Sequence, residues 1–177
     1  MTASEIELRP SEERDLASFH ACLDAVARER RWLGMVEAPP LEAVRQFWES
    51  GRHGTVQFVA LENARVVGWC DIRPNPLEGF RHAGELGMGI LDGYRERGLG
   101  AELLGRTLAS VRANGLTRVG LEVFASNTRA IALYRRFGFA HEGVKRAGRI
   151  LDGRVEDIVC MALLLHEPEA RPARPLS

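Results

Sequence analysis

One stretch constrains the fold of this chain more than any other. In HAGELGMGILDGYRERGLGAELLGRTLASV, residues 82–111, an alternating pattern runs through a glycine-containing turn directly into a helical stripe. Leu86, Met88 and Ile90 fall on one face of the predicted strand, and Glu85, Gly87 and Gly89 on the other. Glycine inside a strand marks a bulge or the close approach of another backbone or a ligand. Leu99, Leu103, Leu108 and Val111 then make the stripe of a helix that Asn114-Gly115 closes. The first N–H groups of a helix lack intrahelical partners and sit at the positive end of its dipole, so this succession is suited to an anion. Gly98 and Gly100 would let backbone approach an oxyanion, and Arg95 and Arg97 would add forked donors that suit a phosphate or pyrophosphate. The alternative reading is an ordinary helix start with solvated arginines.

Around this stretch the chain reads β-α-α-β-β-β-α-β-α-β-β. EIELR is a short strand, which Pro10-Ser11 stops while offering a helix cap. Leu16, Phe19, Leu23 and Val26 form the stripe of a first helix, RERRWLGMVEAPP a loop, and Leu41, Val44, Phe47 and Trp48 a second helix ended by Ser50-Gly51. VQFVALENARVVGWCDIRP is a hairpin turning through Glu62-Asn63-Ala64. TRVGLEVFA is a strand, SNTRAIALYRRFG a helix, and the last two strands turn at Asp152-Gly153, a strong hairpin signal.

The 177 residues, 45% hydrophobic and 27% charged, suit one globular domain over 1–166, with the proline-broken segment 167–177 as a disordered tail. Lys plus Arg equals Asp plus Glu at 24 each, so nothing global favours nucleic acid or an anionic membrane. No apolar run approaches the length of a membrane span. Cys22, Cys70 and Cys160 are widely spaced, without a ligand cluster, which fits free thiols in a reducing cytoplasm and no metal.

The chain contains neither a P-loop nor a Gly-x-Gly-x-x-Gly opening a first βα unit. What it contains, YRERGLGAELL, resembles the pyrophosphate-binding motif of the GNAT superfamily of acyl-CoA N-acyltransferases, Arg/Gln-x-x-Gly-x-Gly/Ala. LEVFASNTRAIALYRRFGF, residues 121–139, is similar to the strand-helix segment that follows it in that superfamily. The element order agrees from Glu5 to about Leu165. LEVFASNTRAIALY is especially like the enzymes that acetylate ribosomal-protein N-termini, whereas HEGVKRAGRILDGRVEDIVCMAL is nearer to those acting on amino acids, amino-acid-like antibiotics or herbicides, or polyamines.

The resemblance implies an α/β fold: a mixed, mostly antiparallel sheet of about seven strands flanked by about four helices, splayed between the strands at 83–91 and 117–124. It implies acetyl-CoA as co-substrate without a metal, its pantetheine arm along Met88, Gly89 and Ile90 and its pyrophosphate on the backbone of Glu96, Arg97, Gly98, Leu99, Gly100 and Ala101, with Arg95 beside it. Asn127 would bond the cofactor, with a helix-capping asparagine as the alternative. A small-molecule amine is the implied acceptor, a protein N-terminus the alternative, and a catalytically silent acyl-CoA-binding module the reading of another class. Family habit adds a homodimer.

Direct transfer needs a neutral amine, a polarised thioester and a proton for the departing thiolate. Tyr134 would be the acid, with a core tyrosine as the alternative. An amine of pKa near ~10 must lose a proton, and Glu122, Glu85 or a water held by one of them would take it. Asp157 would attract a cationic acceptor or else be an edge-strand charge. Trp32, Leu33 and Glu37 would line the acceptor pocket, with Met35 and the residues near Lys145 to Asp152. Arg30, Arg31, Arg73, Arg81 and Arg149 are equal candidates for an acceptor carboxylate, or simply solvated arginines.

Overall fold

In the computed structural model, which describes residues 5–50 and 55–165, the alternating runs become strands β1 (Glu7–Pro10), β2 (Val56–Glu62), β3 (Arg65–Pro74), β4 (Ala83–Ile90), β5 (Arg118–Phe124), β6 (Ala140–Leu151) and β7 (Arg154–Leu164). The helical stripes become α1 (Leu16–Arg28), α2 (Leu41–Ser50), α3 (Leu99–Ala113) and α4 (Thr128–Arg136). One sheet results, in the order β1-β2-β3-β4-β5-β7-β6. All neighbours are antiparallel except β4 and β5. The expected tail at 167–177, the domain limit at 166 and Gly51 lie outside the described residues.

Local chemistry accounts for the joints. Asn63 and Ala64, at φ 49° and 63°, and Asp152 and Gly153, at φ 51° and 72°, supply the two positive-φ residues of a turn whose twist matches a hairpin. Gly115, at φ 81°, follows the Asn114 cap of α3. The start of the first helix differs from the expected Ser11 cap. A 3-10 turn at Glu13–Asp15 intervenes, and Glu12 and Asp15 form its capping box. Asp15, buried, also takes two bonds from Arg9 at 2.7 and 2.9 Å, which fastens β1 to this corner.

α3 and α4 cover the face of the sheet that carries Met88 and Ile90; a Cβ on Gly100 would lie 3.3 Å from Leu133 and 3.4 Å from Ile90. α1 covers the opposite face, where Phe19 meets Trp69 edge-on at 5.5 Å. Val59, Ala60, Val67, Cys70, Ile72 and Val119 of the sheet and Leu103, Leu104 and Val111 of α3 are fully buried between these layers. Each large aliphatic side chain so buried contributes roughly 1.5–3 kcal/mol of transfer free energy.

The parallel joint matters most. β3 pairs β4 continuously from Gly84 to Ile90, but β5 pairs it only at Ala83, Glu85 and the glycine between them. Beyond Glu85 the two strands diverge, while β5 stays paired with β7 as far as Phe124. The sheet is splayed where the resemblance places the pantetheine arm. The strand glycines also gain a physical reason. A Cβ on Gly89 would lie 2.3 Å from the Trp69 ring, one on Gly87 3.0 Å from Asp71 Oδ1, and one on Gly120 2.8 Å from Glu85 Oε1. Side chains of adjacent strands fill the space that the missing Cβ atoms leave.

Candidate active site

The splay opens into a cleft of about 710 Å³. The free edge of β4 from Leu86 to Ile90 and the end of β5 from Glu122 to Phe124 line its middle. The turn before α3, the inner side of α4, and Trp32, Leu33, Gly34, Arg149 and Ile158 complete the lining.

In the turn, α3 begins after Gly98, whose φ of 82° needs no Cβ and whose position carries no side-chain cap. Ala101 and Glu102 donate back to the Gly98 carbonyl at 3.0 and 3.2 Å. The N–H groups of Leu99 and Gly100, one residue earlier in the helix, have no intrahelical acceptor. Gly98, Gly100 and Ala101 line the cleft, as does Glu96, at φ 63° and paired with Arg129 at 2.8 Å. Leu99 is buried in the core by its side chain, and Arg97 lies 5.3 Å from the Tyr94 ring, away from the lining. Arg95 is occupied within the chain. Its Nη1 and Nη2 hold the Glu29 carboxylate at 2.9 and 2.5 Å, and its Nε donates to the Ile90 carbonyl at 2.9 Å. Asn127 caps α4, its Oδ1 accepting from the Ala130 N–H at 3.2 Å, and it lines the cleft as well.

Tyr134 also lines the cleft although 6% exposed, tilted against Phe139 at 5.7 Å. Burial raises its phenol well above the usual tyrosine value, so it carries its proton throughout the neutral range. Glu122 faces the cleft and forms an ion pair with Lys145. Glu85 is not among the lining residues. Loss of hydration and the Glu122 charge raise its carboxyl above the ordinary range. On the same face, Asp71 lies over Gly87 with Arg73 Nε at 3.1 Å. Burial pushes the Asp71 carboxyl up to about 6, against the pull of Arg73 and the Trp69 side chain.

The loop after α1 is a strap between Arg95, before α3, and the β6–β7 hairpin. Glu29, besides holding Arg95, accepts from the Trp32 indole N–H at 2.7 Å. Arg30, at φ 57°, donates to Asp152 on the hairpin at 2.9 and 2.7 Å, and Arg149 donates to the Arg30 carbonyl at 3.0 Å. Trp32 and Leu33 stand in the wall. Glu37 does not; it is exposed, 3.5 Å from Arg28. Asp157 is neither in the lining nor on an edge strand, because β7 lies between β5 and β6. Its Oδ1 accepts from the Ala147 N–H at 2.8 Å and pins a β6 irregularity where Ala147 has φ 48°. Glu29, Asp71 and Phe124 were not singled out from sequence, since each depends on a partner distant along the chain. Among the described residues no group of His, Cys, Asp and Glu is placed to hold a metal ion, and no helix is long and apolar enough to cross a membrane.

Residues 19–139 match the family described as Acetyltransferase (GNAT) family. The chain is similar to the L-amino acid N-acetyltransferase AaaT of Escherichia coli, 28% identical over 162 residues that cover 90% of this chain and 98% of that protein. It is 33% identical over 141 residues to an L-methionine sulfoximine/L-methionine sulfone acetyltransferase of Pseudomonas aeruginosa, covering 77% of this chain and 81% of that one. The crystal structure of a ribosomal-protein-alanine N-acetyltransferase from Brucella melitensis superposes with a TM-score of 0.83 at 28% identity, covering 90% of this chain and 99% of that one.

Proposed function

The chain belongs to the acetyltransferase (GNAT) family and is an N-acetyltransferase using acetyl-CoA, and from that premise we propose that it acetylates the primary amine of a small molecule by direct attack on the thioester. The observation that carries the reading is the splay of β4 from β5 beside the uncapped start of α3, with Tyr134 and Glu122 in the walls of the same cleft. The free edge of β4 suits the amide groups of a pantetheine arm. The open N–H groups of Leu99 and Gly100 suit a pyrophosphate, which the helix dipole further favours.

In this reading Glu122 takes the proton of the incoming ammonium, directly or through a water, and Glu85 is the alternative base. Tyr134 meets the departing sulfur. Its raised pKa against a thiol near ~8.5 makes complete proton transfer to the thiolate uphill, so its hydroxyl serves as a hydrogen-bond donor to the developing charge. The strap at Glu29 to Gly34, tied to the α3 turn and to the hairpin, bounds the cleft, which suits a small amine. The AaaT and methionine sulfoximine relatives, which span most of the chain, support the same acceptor class. A cytoplasmic, homodimeric enzyme completes the proposal.

Thiol release from acetyl-CoA, followed across amino acids, polyamines and a peptide with a free N-terminus, tests this reading. Turnover of small amines is the expected result. Turnover confined to the peptide would move the acceptor to protein N-termini, and CoA binding with no turnover would replace the enzyme by a silent module.

A further inference from the structure

Of the five arginines that the sequence leaves as equal candidates for an acceptor anion, the structure separates one. Arg31 and Arg81 are exposed, and Arg30 is engaged by Asp152. Arg73 has 43% of its side chain exposed and its Nε on Asp71. Arg149 alone of the five lines the cleft, with 13% of its side chain exposed.

Its surroundings hold its position and leave donors over. The guanidinium lies 4.5 Å from the centroid of the Phe124 ring. Nη2 donates to the Arg30 carbonyl at 3.0 Å, and Nη1 is 3.5 Å from Glu156, whose other carboxylate oxygen takes the Ser126 hydroxyl. These contacts use a minority of the five N–H donors, and the Glu156 contact is at the far limit of a hydrogen bond. A nearly buried cation so poorly matched favours an incoming anion, and the fork of a guanidinium fits a carboxylate through two parallel bonds.

Phe124 and Glu122 lie two residues apart on one face of β5, a separation of about 7 Å. A carboxylate that attracts an ammonium and a guanidinium that attracts a carboxylate thus line one cleft, the guanidinium against Phe124 and the carboxylate two residues before it on β5. Trp32, Leu33 and Ile158 leave apolar walls nearby for a side chain.

We propose that Arg149 binds the acceptor's carboxylate and makes the enzyme select α-amino carboxylates over amines that lack an anion. This rests on the small-amine reading above. The test compares L-leucine, L-methionine and L-phenylalanine with their carboxamides, by kcat/KM and by titration into the CoA-loaded protein. The wild type should prefer the acids, although the amine of the amides is the easier to deprotonate. Arg149→Gln should lower kcat/KM for the acids by about 10–100-fold, mainly through KM, as expected for the loss of a charge-assisted pair. The amides should lose much less, and Arg149→Lys should restore part of the preference. The amides also serve as the control for a folding defect, which would reduce both series together. Equal use of acids and amides by the wild type, or an equal loss of both in Arg149→Gln, would overturn the proposal. Turnover of peptides alone would instead overturn the small-amine reading, and this proposal with it.

Discussion

At the scale of single residues, burial decides what the charged and polar groups of the site can do. Tyr134, held protonated by burial, gives the clearest kinetic prediction. Tyr134→Phe should lower kcat by about 100-fold, the range of a lost hydrogen-bond donor to developing charge, while Kd for CoA changes little. Rapid-quench kinetics beside CoA titration separate the two effects. Asp71 gives a stability prediction. Folded, it holds its proton up to about pH 6; unfolded, an aspartate releases it near ~3.9. Between these values the native state binds the extra proton, so stability falls as pH rises from about 4 to 6 and stays lower above that. Asp71→Asn should therefore gain on the order of 2 kcal/mol at pH 7.5 and close to nothing at pH 4, read by urea unfolding at both. Tyr134, Asn127, Gly98 and Gly100 are legible in the sequence through the family resemblance, whose motifs are each local to one turn or one helix. Asp71, Glu29 and the distinct position of Arg149 were not legible there, since each takes its character from a partner far along the chain.

At the scale of elements, order and turn chemistry were readable, while the meaning of β4 was not. Its glycines signalled a close approach, and the approaching groups are Trp69 and Asp71 of the next strand rather than a ligand alone. Gly89→Ala should force the Trp69 ring from its T-shaped contact with Phe19. The expected cost of about 1–3 kcal/mol corresponds to a Tm lower by roughly 2–10 °C, measurable by calorimetry. The motif arginine Arg95 also has partners within the chain. A cation before a phosphate turn reads as a phosphate ligand, and this one, in the lining of the cleft, also joins β4 to the strap through Ile90 and Glu29. A double-mutant cycle of Glu29→Gln and Arg95→Gln should give a coupling of about 0.5–3 kcal/mol in stability. Additive losses would mean that the pair holds nothing together.

At the scale of the whole molecule, one topological fact organises the rest. A sheet of antiparallel neighbours contains a single parallel joint, that joint opens after Glu85, and two helix N-termini, a strap and a hairpin converge on the gap. The order of elements made the sheet foreseeable, but a splay is a property of two strands whose pairing depends on everything packed around them. In the reaction proposed above, the acetyl group passes directly from acetyl-CoA in that gap to a small amine. Radiolabelled acetyl-CoA, mixed in stoichiometric amount first with the protein alone and then with the best small amine, tests this most directly. The expected result is no label covalently held by the protein before the amine is added, and label on the amine at the rate that free thiol appears. Label held by the protein without amine, or CoA bound with no transfer to any small amine, would contradict it.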